Sequence, residues 1–500
     1  MQRTSGVLMH ITSLPNDYGI GSFGQEAYHF VDFLQASKQS YWQILPLTTT
    51  SYGDSPYQSF SAFAGNTHLI DLDLLVSQGY LHEDDLRDLA AYDDLDQVDY
   101  AFIFYKRRPV LEKAVANFRD QEGTESLEFK TFISDNANWL DPFVEYMTVK
   151  ENFDLNAWYE WPDKYKYYQE AIINDFMAEH QDQADYHYVT QFWFFQQWQA
   201  LKSYANQKGI QIIGDIPIYV AADSVEMWQT PELFRVDDAF NPIDVSGVPP
   251  DAFTADGQYW GNPIYDWEYM QKTGYQWWIQ RISESFKLYD VVRIDHFRGF
   301  ESFWSVPFGS PTAAYGRWEK GPGNDLFDHV EAALGELNII AEDLGYMTQE
   351  VIDMREATCY PGMKILQFGF NNDPNNQDLP HHYSHNTVAY VGTHDNETAE
   401  GWYQDTASQA ERDQVDAYLN RRSNETASQA LNRGIAASVS DVAIYQMQDL
   451  LGLGNEARMN TPSTIGQNWK WRMRPGAIDQ ELVDYLKQLT EIYCRKPEDQ

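Results

Sequence analysis

The sequence predicts an α/β protein, a (β/α)8 TIM barrel with inserted, mainly helical subdomains and no C-terminal β-domain. Three observations carry that expectation. Short, near-continuous apolar runs recur along the 500 residues, as parallel strands covered on both faces require. Helical patterns lie between them, which restricts the choice to an open doubly wound sheet or a closed barrel, and eight units favour the barrel. Charged residues gather where the runs end, on the side from which catalytic groups of a barrel project.

The first run is GVLMHI from Gly6 and the second is YWQILPL from Tyr41. The third, IQIIGDIPIYV from Ile210, starts about 160 residues later, too far for one crossover. The interval is acidic, aromatic and helical in pattern. Residues 66–200 therefore read as a helical insertion within a single barrel spanning 1–500. Near its end Phe192, Phe195, Trp198, Leu201 and Tyr204 recur at three-residue spacing and stop at Lys208-Gly209, a helix with a C-terminal glycine. That stripe reads as core. A Pro- and Gly-rich stretch, 222–266, reads as a loop-rich insertion after the third strand. The remaining runs are YDVVRIDHF from Tyr289, LNIIAEDLG from Leu337, GMKILQFGF from Gly362, TVAYVGTHD from Thr387 and VAIYQMQDLL from Val442. Few residues follow the eighth unit, so a further β-domain is not expected.

A formal net charge of −40 argues against nucleic acid or an anionic membrane as partner. Two cysteines, Cys359 and Cys494, exclude a disulfide framework and fit a reducing compartment. The opening MQRTSGVLMHITSLP has no signal h-region, and no apolar stretch reaches membrane-spanning length. The expectation is a cytoplasmic monomer or weak homo-oligomer. Aromatics reach 15%, with 16 Trp and 33 Tyr. Such rings fill a core or stack on the apolar faces of sugars, and composition leaves both readings open.

The densest charge lies in VVRIDHFRGF, residues 291–300, which carries Arg293, Asp295, His296 and Arg298. Unpaired charge inside a sheet is costly, so these groups are expected to face a cleft. Reading every strand to its end adds Asp215, Glu342, His394 and Asp395. One such residue alone fits a loop cap; four strand ends in succession point to a shared pocket. Three acids suit a metal site or glycoside chemistry, in which one carboxylate attacks and another donates a proton. HHYSH, with His381, His382 and His385, lacks a neighbouring acid and precedes its strand, which makes it a poor metal site. GLGNEA at Gly452 has no second βαβ unit to complete a nucleotide fold. No serine or cysteine nucleophile signature is present.

RIDHFRGF, IIAEDLG and GTHDNET resemble the three catalytic strand ends of the 4-α-glucanotransferases, the amylomaltase or disproportionating-enzyme family of the α-amylase superfamily. The likeness continues in SLPNDYGIGSFG (13–24), GDSPYQSFSAFAGN (53–66), GDIPIYVAADSVEMW (214–228), GVPPDAF (247–253), YWGNPIY (259–265) and NWKWR (468–472). The resemblance implies transfer of α-1,4-glucan segments between maltooligosaccharides through a covalent glycosyl intermediate, without cofactor or metal. It implies Asp295 as nucleophile, Glu342 as general acid/base, and Asp395 as the carboxylate that grips the 2- and 3-hydroxyls. Arg293, on the same strand face, is expected to favour the charge of Asp295. Glu342 is expected to be raised in pKa by burial and neighbouring acids. Tyr57, His296, His394 and Asn468 are expected to meet sugar, and Asp215 to bind it or buttress the site. The segment GVPPDAFTADGQYWGNP, with Phe253, Tyr259 and Trp260, is expected to cover the cleft against water. Many family members carry an aromatic where this chain has Ala252. The rival readings are an amylase-type hydrolase and a non-catalytic glucan-binding protein, the latter having no use for a nucleophile.

Overall fold

A computed structural model describes residues 2–51, 53–250 and 255–496. In chain order its strands are β1 (Thr4–Leu8), β2 (Tyr41–Gln43), β3 (Gln211–Ile216), β4 (Asp244–Val248), β5 (Gln258–Pro263) and β6 (Val291–Ile294). Then come β7 (Ser302–Pro307), β8 (Arg317–Lys320), β9 (Ile339–Ala341), β10 (Gly362–Ile365), β11 (Thr387–Tyr390) and β12 (Val442–Gln446). The eight apolar runs supply one parallel sheet, ordered β10-β11-β12-β1-β2-β3-β6-β9. Its two ends meet: the Ala341 N–H donates to the Pro361 carbonyl at 3.0 Å, and the Met363 N–H to Asp343 Oδ1 at 2.7 Å. The sheet is therefore a nearly closed barrel with helices around it. Its strands are buried on both faces, hence their unbroken apolar sequences.

The last run is shorter than its sequence suggests. β12 stops at Gln446, the register partner of Leu8 at the end of β1, and Met447–Leu450 coil into a helix. Beyond its last ladder partner an extended chain has no neighbour to satisfy its backbone, and a helix satisfies its own.

Between β2 and β3 the chain is mainly helical, with long helices Tyr100–Asp120, Leu127–Asn152 and Gln181–Gln207. Asp99 and Ser126 cap the first two through their side chains. The third buries Phe192, Trp198 and Leu201 and ends before Gly209, whose φ of 77° is the left-handed conformation that glycine adopts freely. Trp198 Nε1 donates to the Leu288 carbonyl at 3.0 Å, and Phe23 packs on Phe194 and Trp198 at 5.2 Å each, so this helix closes on the barrel. Lys150, in the middle helix, is buried and pairs with Asp223 beyond β3 at 2.6 Å.

β4, β5, β7 and β8 form a separate antiparallel sheet, ordered β5-β4-β7-β8. The segment 222–266 thus holds two strands as well as loop, and residues 302–320 hold two more. Proline and glycine mask the alternation that would mark these strands. They are inserted after β3, which carries Asp215, and after β6, which leads into Asp295. Among the described residues no helix is long and apolar enough to cross a membrane.

Gly214, beside Asp215 in β3, is required by packing. A Cβ there would lie 2.2–2.3 Å from the ring of Tyr289, which is buried. Gly214→Ala should cost about 1–3 kcal/mol by overpacking and lower activity by displacing Asp215. Urea unfolding followed by circular dichroism reads the first effect, and an unchanged midpoint would contradict it.

Candidate active site

Asp215 and Arg293 are register partners on β3 and β6. Parallel neighbours in register face the same side, so the ladder brings the two charges together. Arg293 Nη1 lies 2.8 and 2.7 Å from the Asp215 oxygens and 3.0 Å from Asp295 Oδ1. Asp215 is fully buried and accepts a further bond from the Tyr57 hydroxyl at 2.8 Å. Asp295 is recessed but open to the cleft, its side chain 30% exposed. Its backbone N–H donates to the Ile216 carbonyl at 2.9 Å, which extends the β3–β6 ladder to the nucleophile candidate itself.

His296 then turns the chain sharply. Its φ of 52° is left-handed, a strained conformation for a non-glycine residue. The turn aims its N–H at Glu342 Oε2, at 2.7 Å, while the Leu344 N–H donates to Oε1 at 3.0 Å. Glu342 is 9% exposed. Trp260 of β5 meets the His296 ring edge to face at 4.8 Å, bringing the second sheet to the barrel mouth.

On the other side, Tyr57 stacks on His394 at 5.2 Å with the rings 16° apart, and both lie within 6 Å of Trp469. Asp395 is held by Asn460 Nδ2, which donates to its Oδ1 at 2.6 Å, and by Arg458, which donates to its carbonyl at 2.8 Å. His394 Nε2 stands 3.5 Å from Asp395 Oδ1. Asn468 bonds its own loop: its side chain donates to the Thr464 carbonyl at 2.9 Å and accepts from the Thr461 N–H at 3.0 Å. It shapes the turn that presents Trp469.

Electrostatics divide the two central carboxylates. Desolvation pushes Asp295 up to about 6, against the pull of Arg293. Desolvation, then the nearby Asp295, push Glu342 up to about 8, against Arg293 and its two N–H donors. Arg293 does favour the charge of Asp295, but it does not hold that residue in the usual carboxylate range, because burial outweighs it. Arg293 restrains Asp295, and the charge of Asp295 in turn lifts Glu342, which sets the order of ionisation. Burial opposes the charge of Arg293 itself, yet Asp215 and Asp295 hold its pKa well above the ordinary range. Burial, with Arg298, lowers His296 to about 3, so its ring is neutral.

Tyr57, Asp215, Arg293, Asp295, His296, Glu342, His394 and Asp395 are thus linked by direct contacts, with Trp260 on His296. Phe253 and Ala252 lie outside the described residues. Trp469, Asn460 and Arg458 were not singled out by the sequence reading. NWKWR carried the signal for Trp469; nothing local marks Asn460, which follows a loop of ordinary composition. His381 packs on His382 and on Tyr418, and neither histidine contacts these acids among the described residues. Among the described residues no group of three His, Cys, Asp or Glu is arranged to hold a metal ion.

Known proteins show the family to which the chain is similar. The profile of a family described as 4-alpha-glucanotransferase matches residues 9–479. A 4-alpha-glucanotransferase of Streptococcus pneumoniae is 56% identical over 495 residues, covering 99% of this chain and 98% of the relative. One from Clostridium butyricum is 47% identical over 488 residues, covering 97% and 100%. The solved structure of amylomaltase from Streptococcus agalactiae in complex with acarbose superposes with a TM-score of 0.96 at 48% identity, covering 99% of this chain and all of that one. The chain belongs to the 4-alpha-glucanotransferase family.

Proposed function

We propose that this chain breaks an α-1,4 bond in a maltooligosaccharide donor and remakes it on another α-1,4-glucan. One observation carries the assignment of roles: two carboxylates just past the ends of adjacent strands β6 and β9, Asp295 in contact with Arg293 and Glu342 held by two backbone N–H groups, have split acidities, about 6 for Asp295 and about 8 for Glu342. At neutral pH the first is ionised and the second protonated, the division a retaining mechanism needs.

Asp295 attacks the anomeric carbon of the donor as Glu342 delivers its proton to the departing glycosidic oxygen. The shortened glucan leaves with that proton, and the remainder is esterified to Asp295. The acceptor's 4-hydroxyl then attacks the same carbon. Glu342, now a base, takes the hydroxyl proton, and the bond to Asp295 breaks. Two inversions give net retention. Arg293 steadies the carboxylate before attack and as it leaves. Tyr57 offers a ring face to the sugar, and Asp395, oriented by Asn460, accepts hydrogen bonds from its hydroxyls. Trp260, seated on His296, gives the acceptor an apolar wall and excludes water, which favours transfer over hydrolysis.

Maltotriose should yield a ladder of longer and shorter maltooligosaccharides with total reducing ends nearly constant. Chromatography with a reducing-end assay decides it; rising ends without longer products would mean hydrolysis.

The acidities set the pH profile. The active form has Asp295 deprotonated and Glu342 protonated. Hence kcat/KM should rise as pH passes about 6 and fall as it passes about 8. A profile flat across that range would reject this pair as base and acid.

Variants separate the roles. With glucosyl fluoride, whose leaving group departs without a proton, Glu342→Gln should still form the ester and accumulate it. Asp295→Asn should form none. Intact-protein mass spectrometry reads the adduct, and an adduct on Asp295→Asn would reverse the assignment.

A further inference from the structure

Two aromatic rings stand exposed near this site, and no step above uses them. Trp318 of β8 is 39% exposed and Tyr346, in the loop after β9, is 67% exposed. Their rings are parallel to within 24°, with centroids 6.3 Å apart. Both are fixed in place. Trp304 meets Trp318 at 5.2 Å and 70°. The Arg298 guanidinium lies 4.0 Å from the Trp318 ring centroid and 5.9 Å from that of Tyr346. Arg298 also donates to the Tyr346 carbonyl and, at 2.9 Å, to Ser302 Oγ. Arg298 is itself only 3% exposed. Leaving aromatic faces in water forgoes hydrophobic stabilisation, and seating a cation beneath them adds a desolvation cost. A preformed apolar face that a ligand later covers explains both.

The position of the pair indicates the ligand. Arg298 follows Asp295 by three residues, on the turn begun by His296. Tyr346 follows Glu342 by four, and the Leu344 N–H between them donates to Glu342. Four residues of chain reach at most about 14 Å, so Tyr346 stays within a few sugar units of the acid. A general acid stands beside the leaving oxygen, and later beside the attacking hydroxyl. The chain just beyond Glu342 therefore borders the acceptor side of the bond. Parallel aromatic rings suit the apolar faces of pyranose rings.

We propose that Trp318 and Tyr346 form a stacking platform for an α-1,4-glucan acceptor, holding a glucose unit beyond the one that attacks and so favouring longer acceptors. The inference rests on the transferase reading above.

Glucosyl fluoride isolates it, because departing fluoride leaves the acceptor side empty. Transfer to glucose, maltose and maltotetraose is measured for wild type, Tyr346→Ala and Tyr346→Phe. Tyr346→Ala should raise the KM for maltotetraose about three- to tenfold, the range of one aromatic contact. Its kcat and its KM for glucose should stay within about twofold of wild type, and Tyr346→Phe should behave as wild type throughout. An equal rise for glucose, or none for maltotetraose, would overturn the platform. So would a KM change confined to maltotriosyl fluoride as donor, which would put the rings on the donor side. Failure of the wild type to transfer to any sugar would instead refute the transferase reading.

Discussion

The site depends on one ion pair, Arg293 with Asp215, made where β3 and β6 run in register. Asp215 has no exposure and Arg293 almost none. Neither is tolerable alone there, since removing one partner from a buried pair leaves an uncompensated charge. Together they fix the guanidinium so that it also reaches Asp295 at 3.0 Å. Gly214, which lets Tyr289 lie across β3, keeps the strand where this register holds. The barrel thus supplies more than a frame, because its hydrogen-bond ladder sets the position of the central cation.

From that cation the acidities follow. All the carboxylates near Arg293 feel it, but unequally. Asp295 lies in direct contact with it, whereas Glu342 is buried against two backbone N–H groups and meets Arg293 as a weaker influence. Desolvation raises both, and the charge of Asp295 raises Glu342 further, while contact with Arg293 restrains Asp295. The strained turn at His296 positions Glu342 through a backbone N–H, which lowers its pKa only in part against desolvation and the charge of Asp295. A lysine or arginine beside Glu342 would pull its proton away and leave no acid.

The second sheet and the 458–469 loop complete the cleft from opposite sides. The sheet brings Trp260 to His296, and the loop brings Asn460 to Asp395 and Trp469 to Tyr57. Much of the wall is therefore aromatic while the floor is charged, which matches a ligand with apolar ring faces and hydroxyl edges. The high aromatic content is divided between the core and the cleft. Trp42, Trp158, Trp193 and Trp198 are fully buried in the core, while Tyr57 and Trp260 border the cleft.

The sequence by itself determined the eight barrel strands, because burial on both faces writes an unbroken apolar run into each. It also determined which strand ends carry the charge, since Asp215, Arg293, Asp295, Glu342 and Asp395 each close a run of that kind. The helix ending at Gly209 was legible for the same local reason, in its periodicity and stop signal. Tertiary structure alone decided what depends on distant partners. The sheet of β4, β5, β7 and β8 is held by pairings that no single segment reveals. Asn468 bonds its own loop beside Trp469, partners that its local sequence does not reveal. Asn460, unmarked in sequence, orients Asp395 from 65 positions away. The acidity of Asp295 was half legible, because Arg293 two residues earlier is visible in sequence while the desolvation that outweighs it is not. Periodicity and motifs are properties of neighbours in the chain; register, desolvation and hydrogen-bond partners are properties of neighbours in space.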